Sequence, residues 1–174
     1  MGATFPDGID ADDVRPRRIF PSHSSPFSLL VLGGILLLAM TGWAGGQPNR
    51  IFVEDTDGVR LEVSWPKITR NGLIFETRIR IEPKRPVDDL VLGVSSSLWR
   101  DITINSMIPA ATGEESRRGL FRFSYGTAEA GEVIEIKIDG QINPPLFGGT
   151  QGHIAIFDDE VELARIPLTM EVRP

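Results

Sequence analysis

The chain has 174 residues, 18 Lys and Arg against 24 Asp and Glu, a formal net charge of −6 and no cysteine. Absence of Cys excludes disulfides, thiolate metal sites, a Cys nucleophile and lipidation through Cys. Acidic and basic residues are interspersed, so no clustered basic face exists for nucleic acid, and the length suits one ordinary domain beside one apolar segment.

Residues 1–26, MGATFPDGIDADDVRPRRIFPSHSSP, mix Pro, Gly, Ser and Asp without hydrophobic periodicity. They are predicted to be a disordered cytoplasmic tail. Residues 27–46, FSLLVLGGILLLAMTGWAGG, carry no charged side chain. Nine of residues 27–44 are Phe, Leu, Ile or Val, which together favour bilayer insertion by about 3–5 kcal/mol before glycines and polar positions are subtracted. A helix over 27–46 would be about 30 Å long, one hydrocarbon thickness. The expectation is therefore one transmembrane helix, a signal anchor whose partner is the lipid bilayer. Arg15, Arg17 and Arg18 precede it and only Arg50 follows closely, which puts the amino terminus in the cytoplasm and residues 47–174 in the periplasm or extracellular space. This is a single-pass arrangement in the plasma (inner) membrane. The rival reading is a cleaved signal, with Gly42 and Ala44 as the small residues near the cut.

From 47 onward the pattern alternates. LIFETRIRI at 73–81 places Leu73, Phe75, Thr77, Ile79 and Ile81 on one side and Ile74, Glu76, Arg78 and Arg80 on the other, the period of a half-buried strand. VRLEVSWPKITR at 59–70 precedes it, and Asn71-Gly72 predicts a two-residue hairpin turn pairing the two antiparallel. Further short runs stand at 89–94, 101–107, 120–125, 132–138, 153–157 and 161–172, separated by turn signals. Asp139-Gly140 reads either as a hairpin turn or as a bulge within one strand running to Asn143. About eight strands predict an all-β fold, an immunoglobulin-like antiparallel β-sandwich over 47–174, with a closed barrel as the alternative. The layout resembles membrane-anchored immunoglobulin-like modules of bacterial envelopes, a resemblance of architecture that carries no function.

Catalytic patterns are weak. Ser64 and Lys67 have SxxK spacing, but Pro66 and the alternation put them on a strand rather than one helical turn apart. His153 is the only histidine after residue 23; it lies within reach of Asp158 or Glu160 only across a hairpin. Phe157–Val161 (FDDEV) and residues 54–62 (EDTDGVRLE) lack the ligand spacing of an EF-hand loop. No catalytic, cofactor or metal set is expected.

Two stretches remain. NPPLFGGTQG at 143–152 holds Leu146 and Phe147 between prolines and glycines, either as docking residues of a surface loop or as a cap on the core. SSSLWRDITINSMIPAATGEESRRG at 95–119 offers Trp99 and Arg100, residue types enriched at interface hot spots, while Trp65 and Trp99 also suit a core and ATGEESRRG at 111–119 reads as a charged, exposed hairpin connection. The candidate interaction residues are thus Leu146, Phe147, Trp99 and Arg100. They suggest a non-enzymatic accessory subunit that binds an envelope or integral membrane protein. The runner-up is a module for envelope carbohydrate or a small solute, secreted after signal cleavage.

Overall fold

The structure, a computed structural model, describes residues 25–43, 46–146 and 148–174. The chain divides into two units, Met1–Thr41 and Gly42–Pro174. Residues 1–24 of the expected tail at 1–26, Ala44 and Gly45 of the expected helix at 27–46, and Phe147 lie outside the described residues.

In the first unit, helix α1 spans Pro26–Met40, with no buried residue and no charge in its first or last turn. Pro26 supplies a preset φ at the first helical position, where its missing N–H costs nothing. At the other end Thr41 donates from both its N–H and its hydroxyl to the Leu38 carbonyl, and Gly42 turns left-handed at φ +65°. This stops the helix at Met40 rather than Gly46. Fifteen residues are about 22 Å, short of the roughly 30 Å expected for 27–46. Among the described residues no helix is long and apolar enough to cross a membrane.

The second unit is an all-β sandwich of two sheets, not a closed barrel. Its strands are β1 (Arg50–Asp55), β2 (Val59–Trp65), β3 (Ile68–Arg70), β4 (Ile74–Pro83), β5 (Leu90–Ser95), β6 (Ile102–Ile108), β7 (Gly113–Arg117), β8 (Leu120–Ser124), β9 (Ile134–Ile142), β10 (Thr150–Asp158) and β11 (Val161–Arg173). The first sheet runs β1-β2-β4-β9-β6 and the second β3-β11-β10-β5-β8-β7. Alternation does the folding work: in β2 Val59, Leu61, Val63 and Trp65 are buried while Arg60 is exposed, and in β11 Ala164, Ile166, Leu168, Met170 and Val172 repeat the pattern. Both inner faces feed one core.

Two expectations are corrected here. Residues 59–70 are not one strand: β2 ends at Trp65, and Pro66 has no N–H with which to continue the ladder. The chain then changes sheets, and β3 pairs with β11 in parallel, Ile68 opposite Glu171 and Arg70 opposite Arg173. β2 does pair antiparallel with β4, Val59 opposite Pro83 and Ser64 opposite Arg78. However, Asn71-Gly72 joins β3 to β4 across the two sheets, and of that pair only Gly72 has positive φ. Residues 113–117, expected as a connection, form edge strand β7 with all five residues exposed. Asp139-Gly140 lies within one strand: the Phe75 ring covers Gly140, where a Cβ would come within 2.7 Å of Phe75 Cζ.

Candidate functional site

The two stretches singled out in the sequence meet at one end of the sandwich. Asn143 donates its backbone N–H to the Asp101 carbonyl at 3.0 Å. The Thr150 hydroxyl lies 2.9 Å from the Leu98 carbonyl and also reaches the Ser97 carbonyl. The His153 N–H donates to Ser95 Oγ at 2.9 Å. Glycine permits this close approach, because a Cβ at Gly152 would overlap Ser95 and Leu98, and one at Gly149 (φ +111°) would overlap the Met170 carbonyl.

The four candidate residues separate in role. Leu146, 1% exposed, caps the core and offers no surface contact, which corrects its expected docking role. Burial costs it nothing polar, so a leucine here is the ordinary way to close the end of a sandwich. Arg100 is exposed and lines a cleft of about 500 Å³ with Lys67, Gly148, Gly149, Thr150 and Glu171. Trp99 is half-buried, its ring centroid 5.8 Å from Phe121 and 5.7 Å from Phe123. Trp65 is fully buried, donates its indole N–H to the Thr169 carbonyl at 3.2 Å, and meets Phe75 edge-on at 5.6 Å.

Trp99 leads to a site that the sequence did not disclose. The sandwich is open on the side where β6 ends the first sheet and β7 ends the second. Between them lies a groove of about 520 Å³, lined chiefly by Trp99, Ile102, Ile104, Met107, Phe121 and Phe123, with Asn105 and Ser106 as polar lining residues and Glu114 as its one charged one. The groove follows from register. On β8, Phe121 and Phe123 point inward; opposite them on β7 stand Ser116 and Glu114. Because the inner side of β7 is polar, it does not close the core, and the apolar rims of β6 and β8 stay partly open. A single anion over apolar walls perturbs its neighbourhood. The Tyr125 hydroxyl, 3.1 Å from Met107 Sδ, has its pKa pushed up to about 12, first by burial and then by the Glu114 carboxylate.

Elsewhere the polar groups serve each other. The outer face of the first sheet carries a charge ladder in which Glu76 accepts from Lys137 and Arg78, and these two cations hold its carboxyl below the usual range. Asp55 is likewise lowered, chiefly by its bond to Lys84. Buried Arg122 stacks 4.9 Å over the Phe157 ring, donates to the Asp159 carbonyl at 2.5 Å, and places Nε 2.9 Å from Glu115. That last contact is close in distance without the alignment of a hydrogen bond.

The remaining sequence candidates fall apart on inspection. Asp158 accepts the backbone N–H groups of Asp88 and Asp89, at 2.9 and 3.4 Å, and Glu160 pairs with Arg117 at 2.7 Å, so neither serves His153. His153 meets Ser95 through its backbone, not its ring, and its pKa is lowered by burial and by Arg165, with Glu162 opposing. His153 Nε2 is buried without a hydrogen-bond partner among the described residues, so the ring is not set as a base for the serine. Ser64 sits in β2 whereas Lys67 lines the Arg100 cleft. Among the described residues no three His, Asp or Glu side chains are grouped as metal ligands.

Comparison with known proteins assigns no identity. No family model matches the chain, and no curated protein matches it. Among solved structures, CaCohA2 from Clostridium acetobutylicum is 11% identical with a TM-score of 0.42, covering 61% of this chain and 85% of its own. A non-cellulosomal cohesin from Archaeoglobus fulgidus is 12% identical with a TM-score of 0.40, covering 74% and 93%. The yeast GGA1 GAE domain is 9% identical with a TM-score of 0.27, covering 72% and 100%. Likenesses of this size assign neither a family nor a function.

Proposed function

We propose that this chain is a non-enzymatic protein-docking module, an immunoglobulin-like sandwich tethered to the plasma membrane by residues 27–46 and working outside the cytoplasm on an envelope or integral membrane protein. The observation that carries the docking part is the open apolar groove. Trp99, Phe121 and Phe123 form a connected aromatic cluster at a partly exposed rim, the composition of an interface hot spot rather than of a solvated surface. The membrane part is supported by α1. Phe27, Leu30 and Leu37 are 72%, 75% and 67% exposed, and an uncharged helix apolar on every side favours lipid over water.

The test is purification of tagged full-length protein from lightly crosslinked, detergent-solubilised membranes, compared with a Phe121→Arg variant. The expected outcome is a stoichiometric membrane companion with the native chain and at least a tenfold loss with the variant. Equal companions in both would remove the groove from the interface. A bait beginning near Gly45 would replace the anchor by a cleaved signal, and a ligand search with glycan fragments would follow.

A further inference from the structure

We propose that the groove receives an extended segment of the partner, added as a further strand to the free edge of β6, with a Lys or Arg of that segment meeting Glu114. This rests on the docking reading above and names the chemistry of its partner.

The argument starts from the four sheet edges. An edge strand aims alternate N–H and C=O groups away from its sheet, and proteins guard such edges with charge, shortness or irregularity. Three edges here are guarded by charge or shortness. β1 carries Arg50, Glu54 and Asp55; β3 is three residues long and includes Arg70; β7 is GEESR, with three charges in five residues. The fourth, β6, reads ITINSMI, seven residues without a charge. Its one guard is an irregularity, a bulge at Asn105 between the pairs Ile104–Gly140 and Ser106–Asp139. That bulge divides the edge into stretches 102–104 and 106–108, so the segment it accepts is short.

Backbone complementarity and side-chain complementarity coincide at this edge. Ile102, Ile104 and Met107 of β6 form one wall of the groove and Phe121 and Phe123 the other. A strand laid along β6 sends every second side chain toward those walls and the rest toward solvent. Helical or globular partners would leave the edge N–H and C=O groups of β6 without aligned mates. Charge sets the remaining requirement. Glu114 makes no ion pair among the described residues, although Glu115, its neighbour, lies against Arg122. An apolar segment closing over an unpaired carboxylate would bury it uncompensated, so the segment that fits brings a cation.

Full-length protein in detergent micelles is used to select from a library of random nonapeptides, and enriched sequences are resynthesised for titration followed by tryptophan fluorescence. The expected peptides have apolar residues at every second position and one Lys or Arg. N-methylation at backbone positions of one parity weakens binding at least tenfold, while the other parity changes it less than twofold. Glu114→Gln, a conservative change on an exposed residue, removes the preference for the basic residue, and Glu114→Lys selects Asp or Glu in its place. Peptides with helical spacing, or insensitive to N-methylation at both parities, overturn strand addition and leave the docking reading standing. Self-association abolished by Ile104→Arg makes a second copy the occupant and overturns the partner assignment. Failure of every peptide, together with a membrane companion unaffected by Phe121→Arg, ends both readings.

Discussion

Leu146 and Arg100 show why residue type alone is a poor guide to a docking site. Both lie at the same end of the sandwich and both have the chemistry of a contact residue, but one is 1% exposed within the core and the other stands in solvent beside Lys67 and Glu171. Truncating Leu146 to Ala removes buried methyl groups and leaves a cavity, an expected loss of about 2–5 kcal/mol. Arg100→Ala touches no packed group and is expected within about 0.5 kcal/mol of the native chain. Urea denaturation of the two variants checks both values. A Leu146→Ala protein of native stability would mean that Leu146 does not cap the core. Trp99 falls between the two cases: its ring is half-buried against Phe121 and Phe123 and still borders the groove.

At the scale of elements, legibility tracked burial. β4, β9 and β11 announce themselves because one face is in the core and the other in water, so apolar and polar residues alternate. β7 is exposed at every residue and leaves no such trace, and the six residues of β1 include just one, Phe52, that is half-buried. The switch of β3 into the second sheet depends on Pro66 ending β2, which a run of alternating residues does not reveal. The groove was illegible for a further reason: it needs β6 and β7 at matching edges, and edge position is a property of sheet order, not of local sequence. The apolar run of α1 was plain, whereas its end at Met40 depends on the paired Thr41 donation and the left-handed Gly42. One buried cation ties elements together. Arg122 of β8 contacts Glu115 of β7, the Phe157 ring of β10 and the Asp159 carbonyl in the β10–β11 turn. Its removal strips packing and charge together. Arg122→Ala is therefore expected to cost about 1–3 kcal/mol, less than for a fully buried pair because Glu115 and Glu160 are about half exposed. Hydrogen exchange should locate the effect, with β7 amides losing protection before those of β2 or β4.

For the molecule as a whole, the shifted groups define a pH window. His153 has its pKa lowered in the folded state, so its contribution is present above the unfolded value of about 6.5 and is lost as pH falls through the folded one. The lowered carboxyls of Asp55 and Glu76 act in the same direction at more acid pH. Tyr125 bounds the alkaline side. Folding raises its pKa to about 12, so its contribution is complete below the unfolded value of about 10 and disappears as pH rises from there toward 12. The cause is that the unfolded chain ionises first: burial beside Met107 and the Glu114 charge both oppose a phenolate at the groove. A two-unit difference corresponds to at most about 2.7 kcal/mol, and residual solvent access reduces it. Tyr125 is the sole tyrosine of the chain, so ultraviolet absorbance of tyrosinate reads this group without assignment. The expected midpoint is near 12 for the folded protein and near 10 in denaturant. Glu114→Gln should bring the folded midpoint down while leaving most of the shift, since burial is its larger cause. A folded midpoint near 10 would mean that Tyr125 is open to water and that its hydroxyl is not held against Met107.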